Sequence, residues 1–83
     1  MAETNADMRA LIEHVAKALV DAPQEVFVEL VDEPQEMVVE LTVAEQDMGR
    51  VIGKQGRTAR AMRHVLTAAS SRLAKHHELE ILE

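Results

Sequence analysis

Cysteine is absent from this sequence, which excludes a disulfide framework, a thiol nucleophile and a cysteine-ligated zinc site together. Tryptophan and tyrosine are absent as well, and Phe27 is the single aromatic residue. Recognition by a platform of stacked rings is therefore largely unavailable. No apolar run approaches the roughly 20 residues that span a bilayer, so no membrane association is expected. The opening stretch Met1-Ala2-Glu3-Thr4-Asn5 carries an acid where a secretory signal carries bases ahead of an apolar run. These features predict a soluble, cytoplasmic protein. The chain has 83 residues, enough for one domain, expected over residues 1–83 with its core at about 8–82. A domain this short buries only about 60–65% of its unfolded surface, which leaves little room for an enzyme cleft with its own walls and lid. Apolar residues make up 47% of the chain, the proportion of a packed globule and too high for disorder.

Bases are outnumbered, nine to fifteen acids, for a net charge of −6. The two signs are segregated. Up to Asp47 only Arg9 and Lys17 oppose a dozen acids, whereas residues 48–77 contain Arg50, Lys54, Arg57, Arg60, Arg63, Arg72 and Lys75 with no acid among them. A basic stretch inside an acidic chain steers a polyanion to one face, whatever the total charge.

Met8, Leu11, Ile12, Val15, Ala16, Leu19 and Val20 recur at helical spacing and predict an amphipathic helix over about 6–20. Asn5 or Thr4 can cap its start, and Asp21-Ala22-Pro23 stops it. Glu25–Asp32 and Glu36–Val43 alternate with period two and are rich in β-branched residues, which predicts two strands. Glu33-Pro34-Gln35 supplies the turn of an antiparallel hairpin. A short helix over 44–52 follows, then Gly53-Lys54-Gln55-Gly56. Helical spacing resumes over Arg57–Lys75, with Ala59, Met62, Leu66, Ala69 and Leu73 on one side. The alternating segment Glu78–Leu82 predicts a last strand. The order is α-β-β-α-α-β, an α+β chain whose helices should cover one face of a small three-stranded sheet.

Two glycines bracketing two polar residues between helices let the backbone turn sharply and approach a ligand. The helix beginning near Arg57 points its unpaired N–H groups and positive dipole end at that turn, which makes an anion site. Lys54 adds a charge at the tip, with Arg57 and Arg60 one turn inside. From Met48 to Arg63 no acid intervenes, so the arrangement suits a phosphodiester and offers little means of holding a metal.

A lone G-x-x-G carries little weight. Its frame, Gly49-Arg50-Val51-Ile52-Gly53-Lys54-Gln55-Gly56-Arg57, resembles the signature of KH domains, in which a Val-Ile-Gly-x-x-Gly loop joins two helices and clamps about four nucleotides of a single strand. The element order is that of the type II form, and the chain from about Met8 to Leu82 is similar to the bacterial single-KH proteins of the KhpA family. The resemblance implies a single-stranded RNA partner and no cofactor. It makes Gly53, Lys54, Gln55 and Gly56 the backbone clamp, Val51 and Ile52 the apolar groove beneath bases, and Arg57 and Arg60 flanks of the phosphate track, with Arg50 nearby. It further implies an RNA chaperone or post-transcriptional regulator that forms homodimers or pairs with a larger KhpB-like protein and influences cell-wall synthesis and cell length. Where many KH domains carry isoleucines after the loop, this chain has Ala59 and Met62, a more pliable groove floor.

Competing readings are weaker. The glycines alone would also fit a plain helix–helix turn, and the arginines a solvated face. Gly49 through Lys54 superficially matches a nucleotide-binding P-loop, but the glycine spacing is one residue short and Gln55 stands where a hydroxyl should meet Mg²⁺. His76 and His77, expected to close the last helix, diverge too far to share a metal and have no third ligand. Asp47 near Lys54 is the only pair with a catalytic flavour, and it lacks an orienting partner. The chain is therefore expected not to be an enzyme. The acidic α-β-β half, through Glu29 or Glu40, offers an alternative as a protein-interaction adaptor.

Overall fold

The computed structural model describes residues 4–83. Helix α1 spans Asn5–Leu19. Thr4, not Asn5, is its N-cap: the Asp7 amide donates to Thr4 Oγ1, and the Thr4 amide donates back to Asp7 Oδ2, each at 3.1 Å. This reciprocal box satisfies two donors that a helix start otherwise leaves open. On the exposed side, Glu13 bridges Lys17 at 3.3 Å and Arg9 at 3.2 Å. The hydrogen bond from Lys17, with the charge of Arg9 beside it, holds the Glu13 carboxyl below its ordinary value of 4.5. Met8, Ile12 and Ala16 line the inner face and are fully buried.

Strand β1 runs Phe27–Asp32 and β2 runs Glu36–Thr42. The hairpin closes with the Glu33 amide donating to the Glu36 carbonyl at 2.9 Å. The first strand starts later than its alternation predicts, because Pro23–Glu25 forms a single 3-10 turn led by the proline. Val26 is buried all the same. A second 3-10 turn, Glu45–Asp47, leads into helix α2, Met48–Ile52. Helix α3 spans Arg57–Ala69 and strand β3 spans His76–Ile81.

Two expectations at this end need correction. Helix α3 stops at Ala69 rather than at Lys75, and β3 begins at His76 rather than at Glu78. Strand pairing decides both. β2 is the central strand, antiparallel to β1 and parallel to β3, with pairs running from Glu36↔His76 to Leu41↔Ile81. Filling that register takes His76 and His77 out of any helix. His77 turns inward and is 1% exposed, with Nδ1 at 2.9 Å from the Lys75 carbonyl and Nε2 at 3.0 Å from Asn5 Oδ1. It ties the foot of α1 to the head of β3.

The registers set Val28, Leu30, Val39, Leu41 and Leu79 on the face that meets the helices. There they join Met8, Ile12, Ala16, Val51, Met62 and Leu66 in one apolar cluster. α1 packs against β1, β2 and α3, and α3 packs against β3. The opposite face carries the intervening residues. Glu29 stands beside Glu40, and Glu40 beside Glu80, so three carboxylates form a row across all three strands.

Candidate nucleic-acid interface

The bend between α2 and α3 is shaped by glycines in conformations that other residues rarely adopt. The amide of Gly53 donates to the Gly49 carbonyl at 2.9 Å and so completes the last turn of α2. Gly53 then leaves with φ 77° and ψ 169°, a region accessible essentially to glycine alone. A Cβ there would lie 2.2 Å from Thr58 Oγ1 and 2.8 Å from the Thr58 amide nitrogen. Thr58, in the first turn of α3, therefore fills the space a side chain at 53 would need.

Lys54–Gly56 forms one 3-10 turn. The Gly56 amide donates to the Gly53 carbonyl at 3.1 Å, and the Arg57 amide to the Lys54 carbonyl. Gln55 sits at φ 58°, ψ 25° and Gly56 at φ 74°, ψ 13°. Two consecutive left-handed residues swing the chain into α3. The amides of Lys54 and Gln55 head the turn, where helical geometry supplies no acceptor. They lie next to the start of α3, which has no side-chain cap and no acid in its first turn. Partial positive charge from the helix start converges on the same place.

The seven bases of residues 48–77 divide by whether an acid holds them. Arg50 pairs with Asp21 at 3.0 Å and with Asp47 at 3.7 Å. Lys75 binds Asp32 and donates to the Glu33 carbonyl at 2.6 Å. Both are thus compensated by the acidic half, and Arg50 ties the start of α2 to the connection between α1 and β1. Among the described residues, Lys54, Arg57, Arg60, Arg63 and Arg72 form no ion pair with any acid. Lys54, Gln55, Arg57 and Arg60 are all exposed. The Arg57 guanidinium donates to Gln55 Oε1 at 3.1 Å, and that of Arg60 to the Gln55 backbone carbonyl at 3.3 Å.

Val51 and Ile52, paired in the expectation for an apolar groove, separate in the structure. Val51 has no exposed surface and belongs to the core cluster. Ile52 is 38% exposed and lines an open groove of about 400 Å³ with Met48, Val43 and Leu82. The geometry of a short helix explains the split, since neighbouring residues point about 100° apart. Met48 and Leu82 were not marked by the sequence, because their place beside Ile52 comes from the end of the sheet.

Asp47 has a structural task. Its side chain is fully buried and accepts from the amides of Asp21 and Ala22, both at 3.1 Å. It tethers the end of α1 to the start of α2. Among the described residues no group of three metal-ligating side chains comes together, and no helix is long and apolar enough to cross a membrane.

The profile of the KhpA/KhpB KH domain matches residues 9–81. The chain belongs to the KhpA/KhpB KH-domain family. It is 46% identical over 76 residues to the RNA-binding protein KhpA of Halalkalibacterium halodurans, covering 92% of this chain and 100% of that one. To the protein of the same name from Clostridium acetobutylicum it is 49% identical over 75 residues, covering 90% and 100%. The Treponema pallidum protein of that name is 42% identical over 73 residues, covering 88% and 91%. The mixed sheet and the α-β-β-α-α-β order are those of a KH domain of type II, and the family is one of KH domains rather than of enzymes.

Proposed function

We propose that this KH domain binds single-stranded RNA without catalysis, by seating the sugar-phosphate backbone on the Gly53-Lys54-Gln55-Gly56 loop. One observation carries the reading. Two amides without a helical acceptor, the start of α3 and the unpaired cations Lys54 and Arg57 converge on one exposed turn. A phosphate placed there gains hydrogen bonds and charge compensation that the free protein does not supply internally. Bases then rest on the groove beside Ile52. The curated relatives carry RNA binding in their names, which agrees with this use of the site.

Sequence preference is modest in this reading. The only aromatic residue, Phe27, belongs to β1 and not to the loop or its helices, so stacking worth about 1–3 kcal/mol per base is largely missing. Affinity then rests on the backbone. If three or four phosphates are neutralised, log K falls against log salt with a slope of roughly −2 to −3. A single site of this kind gains from being doubled, which supports a homodimer or a pair with a larger KhpB-like KH protein. The cellular role that fits is a cytoplasmic RNA chaperone or post-transcriptional regulator acting on cell-wall synthesis and cell length.

The test is the double change Lys54→Asp, Gln55→Asp. Both side chains are exposed, so the circular-dichroism spectrum and melting curve should stay close to those of the native chain. RNA affinity measured by gel shift should fall about tenfold or more, because two acids now face each phosphate. Undiminished binding would refute the loop assignment.

A second reading, a protein-interaction adaptor, is favoured by the row Glu29, Glu40 and Glu80 on the outer sheet face, which forms no ion pair among the described residues. It predicts that charge reversal at Glu29 or Glu40 breaks a protein complex while the loop variant leaves it intact. Pull-downs with the two classes of variant separate the readings.

A further inference from the structure

The contact between Arg60 and the Gln55 carbonyl gives this arginine a different task from that of Lys54 or Arg57. Gln55 is the one residue other than glycine with a positive φ among the described residues, at 58°. Left-handed backbone is disfavoured for a residue with a Cβ, so an isolated loop of this sequence spends much of its time in other conformations. Something must hold Gln55 there. Gly53 and Gly56 need no such help, because their conformations cost glycine little.

Arg60 sits one turn into α3 and donates through Nη2 to the Gln55 carbonyl at 3.3 Å. Arg57 reaches the same residue through the Gln55 side-chain oxygen at 3.1 Å. The two bonds are unlike. The Arg57 contact involves a freely rotating amide whose oxygen a phosphate oxygen can replace. The Arg60 contact fixes the peptide plane that follows Gln55. With φ and ψ of Gln55 set, the direction of the Gln55 N–H is set too, and that N–H is one of the two donors offered to RNA. Thr58 supports the same geometry from below, packed against the bare Cα of Gly53.

We infer that Arg60 is a positioning residue, a brace from α3 that holds the Gln55 peptide in its left-handed, RNA-competent orientation, rather than a ligand of phosphate. The inference rests on the loop being the RNA site. In the brace role, loss of Arg60 lowers the fraction of molecules with a competent loop, and apparent affinity falls by that fraction.

Arg60→Met keeps the aliphatic stem and helix propensity while removing the donor, and Arg57→Met is the comparator. Affinity for a single-stranded RNA octamer is measured across a salt series, and amide NMR signals are recorded for both variants without RNA. Arg60→Met should weaken binding about three- to tenfold at every salt concentration and leave the salt slope nearly unchanged. It should also displace or broaden the signals of residues 54–56 in the RNA-free protein. Arg57→Met should reduce the slope by about 0.7, the value of one phosphate contact on a single strand, and shift those signals less than Arg60→Met does, without broadening them. A drop in slope for Arg60→Met equal to that of Arg57→Met overturns the brace, as do unmoved loop signals or unchanged affinity. If the native protein fails to bind RNA at all, the RNA reading falls, while the RNA-free spectra still decide whether Arg60 holds the loop.

Discussion

The three glycines of this chain make a graded test of how the loop is built. Gly53→Ala meets two penalties. Its backbone region costs about 1–3 kcal/mol for any residue with a side chain. The new methyl would also sit 2.2 Å from Thr58 Oγ1, 2.7 Å from Thr58 Cβ and 2.8 Å from the Thr58 nitrogen. Two of those three atoms are fixed to the start of α3, so the overlap moves backbone and adds about 1–3 kcal/mol. The sum, about 2–6 kcal/mol, is a large part of the roughly 4–12 kcal/mol expected for a domain of this length. Gly56→Ala meets only the left-handed cost of about 1–2 kcal/mol, because nothing lies within 4 Å of its new methyl. Gly49→Ala has open space and an ordinary helical position in α2, and gains about 0.5–1 kcal/mol. Urea unfolding read by circular dichroism reports all three. With a denaturant slope of about 1 kcal/mol/M for so small a domain, the Gly53→Ala midpoint falls by roughly 2 M or more and the Gly49→Ala midpoint rises by about 0.5–1 M. Adding Thr58→Ala to Gly53→Ala removes the nearest of the three atoms and recovers part of the loss. A Gly53→Ala protein as stable as the native one, or less affected than Gly56→Ala, would mean that Thr58 and the backbone of residue 53 do not shape the bend.

Two stability changes away from the loop follow from the same contacts. Asp47→Ala leaves the buried Ala22 amide without its acceptor, at about 1–3 kcal/mol, and the part-buried Asp21 amide as well, at less because water can reach it. A melting temperature within a few degrees of the native value would contradict it. Glu40→Gln removes the middle charge from the row Glu29, Glu40 and Glu80. It should raise stability by about 0.2–1 kcal/mol per relieved pair at low salt, and the gain should shrink as salt is added. No gain at low salt would show that the row is already screened.

Much of this was legible in the sequence because local pattern and global structure agree. The spacing in α1, the alternation in β1 and β2 and the glycine pair each point to the element that forms. The limits of α3 were not legible. Leu73 continues the apolar spacing of Leu66 and Ala69, yet the strand register claims His76 onward, and the helix gives way at Ser70-Ser71. Local spacing carries no knowledge of a partner strand. The site divides in the same manner. The loop and its exposed cations were readable from residue type and order. The withdrawal of Arg50 to Asp21 and Asp47, the burial of Val51 and the groove contributions of Met48 and Leu82 depend on distant segments meeting. No spacing rule encodes the left-handed Gln55, since glutamine gives no sign of it.

The parallel pairing of β2 with β3 also bears on when the protein becomes competent. β2 is translated well before the loop, and its partner strand well after it. A growing chain that has exposed residues 53–56 but not 76–81 lacks Leu79, which packs with Leu66 and Val51 behind the two helices that frame the bend. Closing a contact over so long a span is slow and must wait for its second half. A nascent chain therefore carries the loop's residues before it has their scaffold, and under the proposed function RNA binding begins only after β3 has emerged and docked.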